Sequence, residues 1–175
     1  MPSSGVYLPL KDVPKEARAS AFAKWVSSYY KHGDLGSRDF TQLEQRIGDT
    51  SKKQTTETIP LEELITTIDS GAGAKCDTVI IESLHFLPVF NKQTTKALFD
   101  PKIREDWGER PVWCVCCEAS IWDVHYAAWN LEEKDKTSEI NFKSVPGANH
   151  FVRLFCKFYR FIQLDYTLKT LLYNS

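Results

Sequence analysis

Several ordinary features are scarce in these 175 residues, and each absence excludes something. No apolar stretch approaches the roughly 18 uncharged residues that a bilayer-spanning helix requires. The start, Met1 to Leu10, has neither a basic opening nor an extended apolar run, so no secretory leader is expected. Neither sign of charge is in surplus. With a formal net charge of -1 and 26% charged residues, no general attraction to nucleic acid or anionic membrane is expected. The five cysteines are an odd number, and Cys114, Cys116 and Cys117 crowd one short run. Neighbouring cysteines on one strand are badly placed to bridge, so reduced thiols and a cytoplasmic setting are expected. No internal repeat is visible, and no Gly-x-Ser-x-Gly pentapeptide occurs anywhere.

What is present divides by pattern. Residues 1–108 read as helical. Asp12 can cap a first helix with Pro14 and Glu16 in its first turn, and Phe22, Trp25, Val26 and Tyr29 follow helical spacing up to Gly33. Trp25, Tyr29 and Tyr30 could line an apolar pocket, although helix packing alone explains such a stripe. A short helix after Ser37 would carry Phe40, Leu43 and Ile47 on one side. Gly48 to Thr58 reads as a loop, after which Thr58 can cap a helix that buries Leu61, Leu64, Ile65 and Ile68 before Gly71. Residues 77–90 favour helix, with a strand at Thr78 to Ile81 as the alternative. Asp100-Pro101 breaks whatever helix precedes it.

The pattern changes at Gly108. Pro111 to Cys117 is a continuous apolar run of strand length, as in parallel strands covered on both faces. Ile121 to Glu133 is amphipathic, with Ile121, Val124, Ala128 and Leu131 inward, and Glu139 to Val145 makes a second strand. Strand, helix, strand is a βαβ unit, whose crossover is right-handed. Two parallel strands are a poor sheet by themselves, so the expected fold class is α/β, a helical cap followed by the βαβ remnant of a larger parallel sheet.

Chemistry concentrates at the ends of those strands. Glu118 follows the first, and His150 lies in the Gly147-Ala148-Asn149-His150-Phe151 loop after the second. Adjacent parallel strands lie about 4.8 Å apart, so side chains leaving their C-terminal ends can meet. A carboxylate there could hold one imidazole nitrogen and leave the other as a base. The plainer alternatives are a surface-loop histidine and a solvated turn acid. Asp123 competes as the acid, but one helical turn on it is expected to point away. Ser120 lies between strand and helix, where Glu118 and Trp122 fill the places that a nucleophile elbow reserves for glycine, so it reads as a helix N-cap. Cys117 could act as a thiol nucleophile near His150, or simply fill core space. Cys114 and Cys116 share one strand face while Cys117 faces the other, which disfavours a common metal. His32, His85 and His125 have no acidic or thiol companions at metal-ligand spacing. Ser70-Gly71-Ala72-Gly73 is preceded by no clear strand, so it reads as a linker and not a phosphate loop. No cofactor and no metal are expected.

Pro111 through Leu131, followed by Phe142 through Phe151, resembles the C-terminal part of α/β-hydrolase-fold proteins, particularly fungal members of the AB hydrolase-1 type. There a late strand ends in a glycine-acid turn and a last strand runs into Gly-x-Asn-His-Phe. Ala21-Phe22-Ala23-Lys24-Trp25-Val26 and Pro60-Leu61-Glu62-Glu63-Leu64 are similar to the helical lid of that family. The likeness covers about residues 8–152. It implies a lid over 1–108, the C-terminal βαβ part of the hydrolase core over 109–152, and a divergent basic and aromatic tail over 153–175.

Carried over, His150 matches the general base and Glu118 the acid after the strand, with Cys117 replacing the usual glycine and Ser120 standing where many members have aspartate. The family order of nucleophile, acid and histidine leaves the nucleophile and the earlier strands without counterparts. The resemblance therefore implies an incomplete α/β-hydrolase fold, with a small apolar ester-like substrate if completed and no hydrolysis by this chain alone. The tail contains no Gly, Pro, Ala or Glu from Phe151 to Ser175. It reads either as sequence from a retained intron or shifted frame, or as a basic amphipathic helix with Arg153, Lys157 and Arg160 on one side at a membrane interface. The alternative function is a non-catalytic binding module whose helical half presents an apolar groove.

Overall fold

The computed structural model describes residues 13–67, 86–108, 110–137 and 139–151. Its helices are α1 (Arg18–Ser27), α2 (Thr55–Thr58), α3 (Leu61–Thr67), α4 (Phe86–Phe99), α5 (Pro101–Trp107) and α6 (Trp122–Lys134). The strands are β1 (Val112–Cys117) and β2 (Ile140–Val145), paired in a two-stranded sheet. Near the strand starts, the Asn141 side-chain amide donates to the Val112 carbonyl, and just past their ends the Glu118 amide donates to the Val145 carbonyl. Starts lie with starts and ends with ends, so the sheet is parallel and β1-α6-β2 is a βαβ unit. The chain is mixed α/β, as expected.

The described residues form two compact units that interleave segments from both sides of residue 108. The first contains 13–59, 115–129 and 144–151, and the second contains 60–67, 86–108, 110–114, 130–137 and 139–143.

The core of the first unit is Trp25, Val26, Tyr30 and Ile121, with Phe22, Trp122, Val124 and Phe151 packed against it. Phe22, Trp25 and Val26 recur at three and four residues, which places them on one face of α1. Burying side chains of this size stabilises by roughly 1.5–3 kcal/mol each. The helix stops well before Gly33. Ser28 is extended, its Oγ donates back to the Lys24 carbonyl at 2.7 Å, and its amide reaches only the Trp25 carbonyl. Tyr29 and Tyr30 then run outside the helix: the Asp49 amide donates to the Tyr29 carbonyl and the Tyr30 amide to the Ala119 carbonyl. Tertiary hydrogen bonds thus override helical periodicity at this end.

After Ser37 the structure has single 3₁₀ turns and no α-helix. Asp34 accepts from the Gly36 amide over Leu35–Ser37, and Asp39 accepts from the Thr41 amide over Phe40–Gln42. Such Asx contacts compete with a continuous helix. Leu43 is buried, but Ile47 is 71% exposed because the Glu44 carboxylate takes the Arg46 and Ile47 amides and turns the chain outward. The expected loop before Thr58 contains α2. Thr58 donates its hydroxyl back to the Thr55 carbonyl, which closes α2 instead of capping α3.

In the second unit, the expected buried face of α3 is open at Leu61 and Ile65, each 69% exposed. α4 runs through to Phe99. Asp100 ends it and caps α5, accepting from the Lys102 and Ile103 amides with Pro101 in the first turn. Arg104 bonds Glu139 at 3.0 Å and lies over the Trp107 ring. Asp135 accepts from the Glu139 and Ile140 amides and so launches β2. Neither strand is covered throughout: Val115 is 46% exposed, and β2 alternates from buried Ile140 to exposed Asn141. The expectation of two covered faces fails because, among the described residues, the pair has no further strands beside it to carry covering helices.

Asp12, Ile68, the Ser70–Gly73 stretch, His85, the alternative strand at Thr78 to Ile81 and the tail 153–175 lie outside the described residues. Among the described residues, no helix is long and apolar enough to cross a membrane.

Candidate functional site

The turn between β1 and α6 is fixed by its own backbone. The Glu118, Ala119 and Ser120 amides donate to the carbonyls of Val145, Ala148 and Cys117. Two of their carbonyls are taken as well. Ala119 accepts from the Tyr30 amide, and Ser120 from His32 Nε2 at 2.8 Å. Five of the six backbone groups of this turn thus have partners, which holds it in place.

The His150 loop docks onto this turn through its neighbour. Asn149 is 1% exposed. Its Nδ2 donates to the Ser27 carbonyl and Thr55 Oγ1, each at 2.8 Å, and its Oδ1 accepts from the Phe151 amide at 3.0 Å. Held this way, Asn149 leaves His150 on the outside, exposed, with its ring edge-on to Phe151 at 5.5 Å.

The two expected site residues follow neighbouring parallel strands, but no hydrogen bond or ion pair joins them among the described residues. Glu118 Oε1 instead accepts from the Ser144 hydroxyl at 3.0 Å. The His150 charge also acts on the carboxyl of Asp123, which is exposed on the first turn of α6. Crowding by the protein raises the Asp123 pKa, while the Val124 amide and then the His150 charge draw it back down. The reason is local: Asp123 lies in the first turn of α6, where the helix begins beside the strand ends.

Ser120 is not a cap. Its Oγ is buried and has no hydrogen-bond partner among the described residues, and it is 1% exposed, so it offers no surface to a substrate. Cys117 is buried, Cys114 and Cys116 are partly buried, and none of the three is in a disulfide. No group of three metal-ligating side chains occurs among the described residues.

Sequence reasoning passed over two histidines. His32 accepts from the Glu44 amide at Nδ1 (2.9 Å) while donating from Nε2, so its neutral ring is fully used. Burial lowers its pKa, against the opposing effects of the Ser120 carbonyl and the Glu44 charge. His125, on the inward face of α6, meets His32 edge-on at 4.7 Å. Burial and then the His32 ring lower its pKa to about 4. The signal was there: with Ile121 and Val124, His125 sits on the apolar stripe of α6.

No family model, curated protein or solved structure matches this chain.

Proposed function

We propose that the chain carries the acid and histidine half of an α/β-hydrolase-type site, with His150 as general base and Asp123, in place of Glu118, as the carboxylate that would support it. The observation that carries this reading is that His150 lowers the Asp123 pKa electrostatically, the two residues following neighbouring parallel strands. An imidazole supported by a carboxylate can take a proton from an attacking hydroxyl and return it to a leaving group. Glu118 then serves to hold Ser144, and thereby the end of β2. The 175 residues contain no Gly-x-Ser-x-Gly, and Ser120 is enclosed, so the chain alone lacks an exposed nucleophile of that type. The test is hydrolysis of p-nitrophenyl esters of short and medium acyl length. The full chain should give background rates, unchanged in His150→Ala. Turnover lost in that variant would show a complete active site and overturn the assignment.

A second reading is a binding module. It is favoured by apolar side chains left in solvent on α3 and α4 of the second unit, namely Leu61, Ile65, Val89 and Phe90. It expects saturable binding of an apolar probe that is indifferent to His150→Ala and weakened by Leu61→Ser with Ile65→Ser.

A further inference from the structure

We propose that His32 and His125 form an acid-sensitive latch inside the first unit, which holds the β1–α6 turn and the His150 loop closed at neutral pH and releases them when the imidazoles gain protons. The inference is independent of whether the His150 loop takes part in catalysis.

The geometry points to it in three steps. First, His125 is 4% exposed, and its Nε2 has no partner among the described residues. Whichever nitrogen carries the neutral ring's proton, Nε2 meets no hydrogen-bonding group among the described residues. A proton arriving there finds no acceptor and leaves a buried charge unpaired. Second, the nearest ring is another histidine. His32 has both nitrogens committed, Nδ1 as an acceptor from the Glu44 amide and Nε2 as a donor to Ser120. Protonating His32 would break its bond with Glu44, and protonating both rings would set two positive charges 4.7 Å apart. Third, His32 holds the Ser120 carbonyl of the turn while His125 packs edge-on against His32, and the Ala119 amide of the same turn holds Ala148 in the His150 loop. Loss of the ring contacts frees that turn.

The groups facing the pair are Glu44 from the loop after α1, Glu118 from the turn, and Tyr30, whose ring stacks on His32. Glu44 and Glu118 favour the charged imidazoles, but burial is the larger effect on both rings. The sign follows. A histidine whose folded pKa lies below its unfolded value contributes stability that is complete above about 6.5 and is lost as pH falls toward the folded value. For His125 that window runs from 6.5 down to about 4. Carboxylates act elsewhere. Glu44, Asp39 and Asp49 are lowered, so their contributions fade only below about 4.5, and Asp123, which is raised, opposes them.

The experiment follows amide exchange at Ala119 and Tyr30 by NMR, with tryptophan fluorescence from Trp25 and Trp122, on the full chain from pH 7.5 to pH 4. Exchange rates are first corrected for the intrinsic effect of pH. The expected result is an opening equilibrium about 20-fold more favourable at pH 5 than at pH 7. That rise should disappear in His125→Phe, which keeps an aromatic ring but no basic nitrogen. No rise in the unaltered chain down to pH 5 overturns the latch. So does a rise of equal size in His125→Phe and His32→Gln, which would assign it to carboxylates. Should those variants fail to fold, the ring signals of the unaltered chain decide. A His125 ring that stays neutral until the unit opens supports the latch, and one that protonates near 6.5 with Ala119 still protected overturns it.

Discussion

Asn149 donates to the carbonyl of Ser27 at 2.8 Å across 122 residues of sequence, and so ties the His150 loop to the end of α1. Ser27 is itself fully buried, and its hydroxyl lies 2.9 Å from that of Thr56 on α2. The amide is satisfied at both ends, so truncation leaves buried partners without bonds. Asn149→Ala should cost about 2–4 kcal/mol, more than a single lost hydrogen bond, because the Ser27 carbonyl and Phe151 amide are both orphaned. Urea unfolding monitored by tryptophan fluorescence checks this.

Tyr30 gives a prediction at the opposite end of the pH scale. Its hydroxyl donates to the Trp25 carbonyl at 2.9 Å inside the core. Burial, then the charges of Glu44 and Asp123, push the phenol well above its ordinary 10.0. A raised folded value means stability that is complete below pH 10 and lost as pH climbs through it. Tyr30→Phe should cost about 1 kcal/mol at neutral pH and flatten the alkaline decline between pH 10 and 12. Thermal melts of both proteins across that range provide the comparison.

Much of the architecture was legible because short-range physics decides it. The β1-α6-β2 unit, the break at Asp100-Pro101 and the inward set of Ile121 and Val124 follow from apolar spacing and from proline chemistry. The misreadings share a cause, which is competition from side chains or distant backbone. Ser28 and the Ala119 carbonyl stop α1. Asx contacts at Asp34 and Asp39 replace a helix with single turns. Strand spacing put Glu118 and His150 just past neighbouring strands, but it did not show what either would bond. Glu118 finds a closer partner in Ser144, and nothing in spacing alone shows that. Asn149 and His125 were missed because a buried polar side chain is identified by its partners, which sequence does not display.

The Asp123–His150 relationship can be read from the acid. The His150 charge lowers the Asp123 pKa against the effect of burial. Replacing His150 by Gln removes that charge, so the Asp123 carboxyl should titrate at higher pH. Carbon-detected NMR of the carboxyl follows it directly, with Glu118→Gln as a control expected to move Asp123 much less. An unchanged Asp123 in His150→Gln would remove the electrostatic basis for the proposed pair.

Gly108 separates α5 from β1 at φ 64° and ψ −150°, a region that only glycine enters readily. A Cβ built there meets nothing within 4 Å, so an added methyl would suffer no clash. Gly108→Ala should therefore cost about 1–3 kcal/mol through backbone strain alone. Asp100→Ala, at the other end of α5, should cost about 1 kcal/mol by freeing the Lys102 and Ile103 amides. The two positions lie in the same unit but share no partner, so the double variant should lose the sum of the two single losses. Chemical denaturation of all four proteins measures it, and a double loss well below the sum would mean that α5 had already detached in one of the single variants.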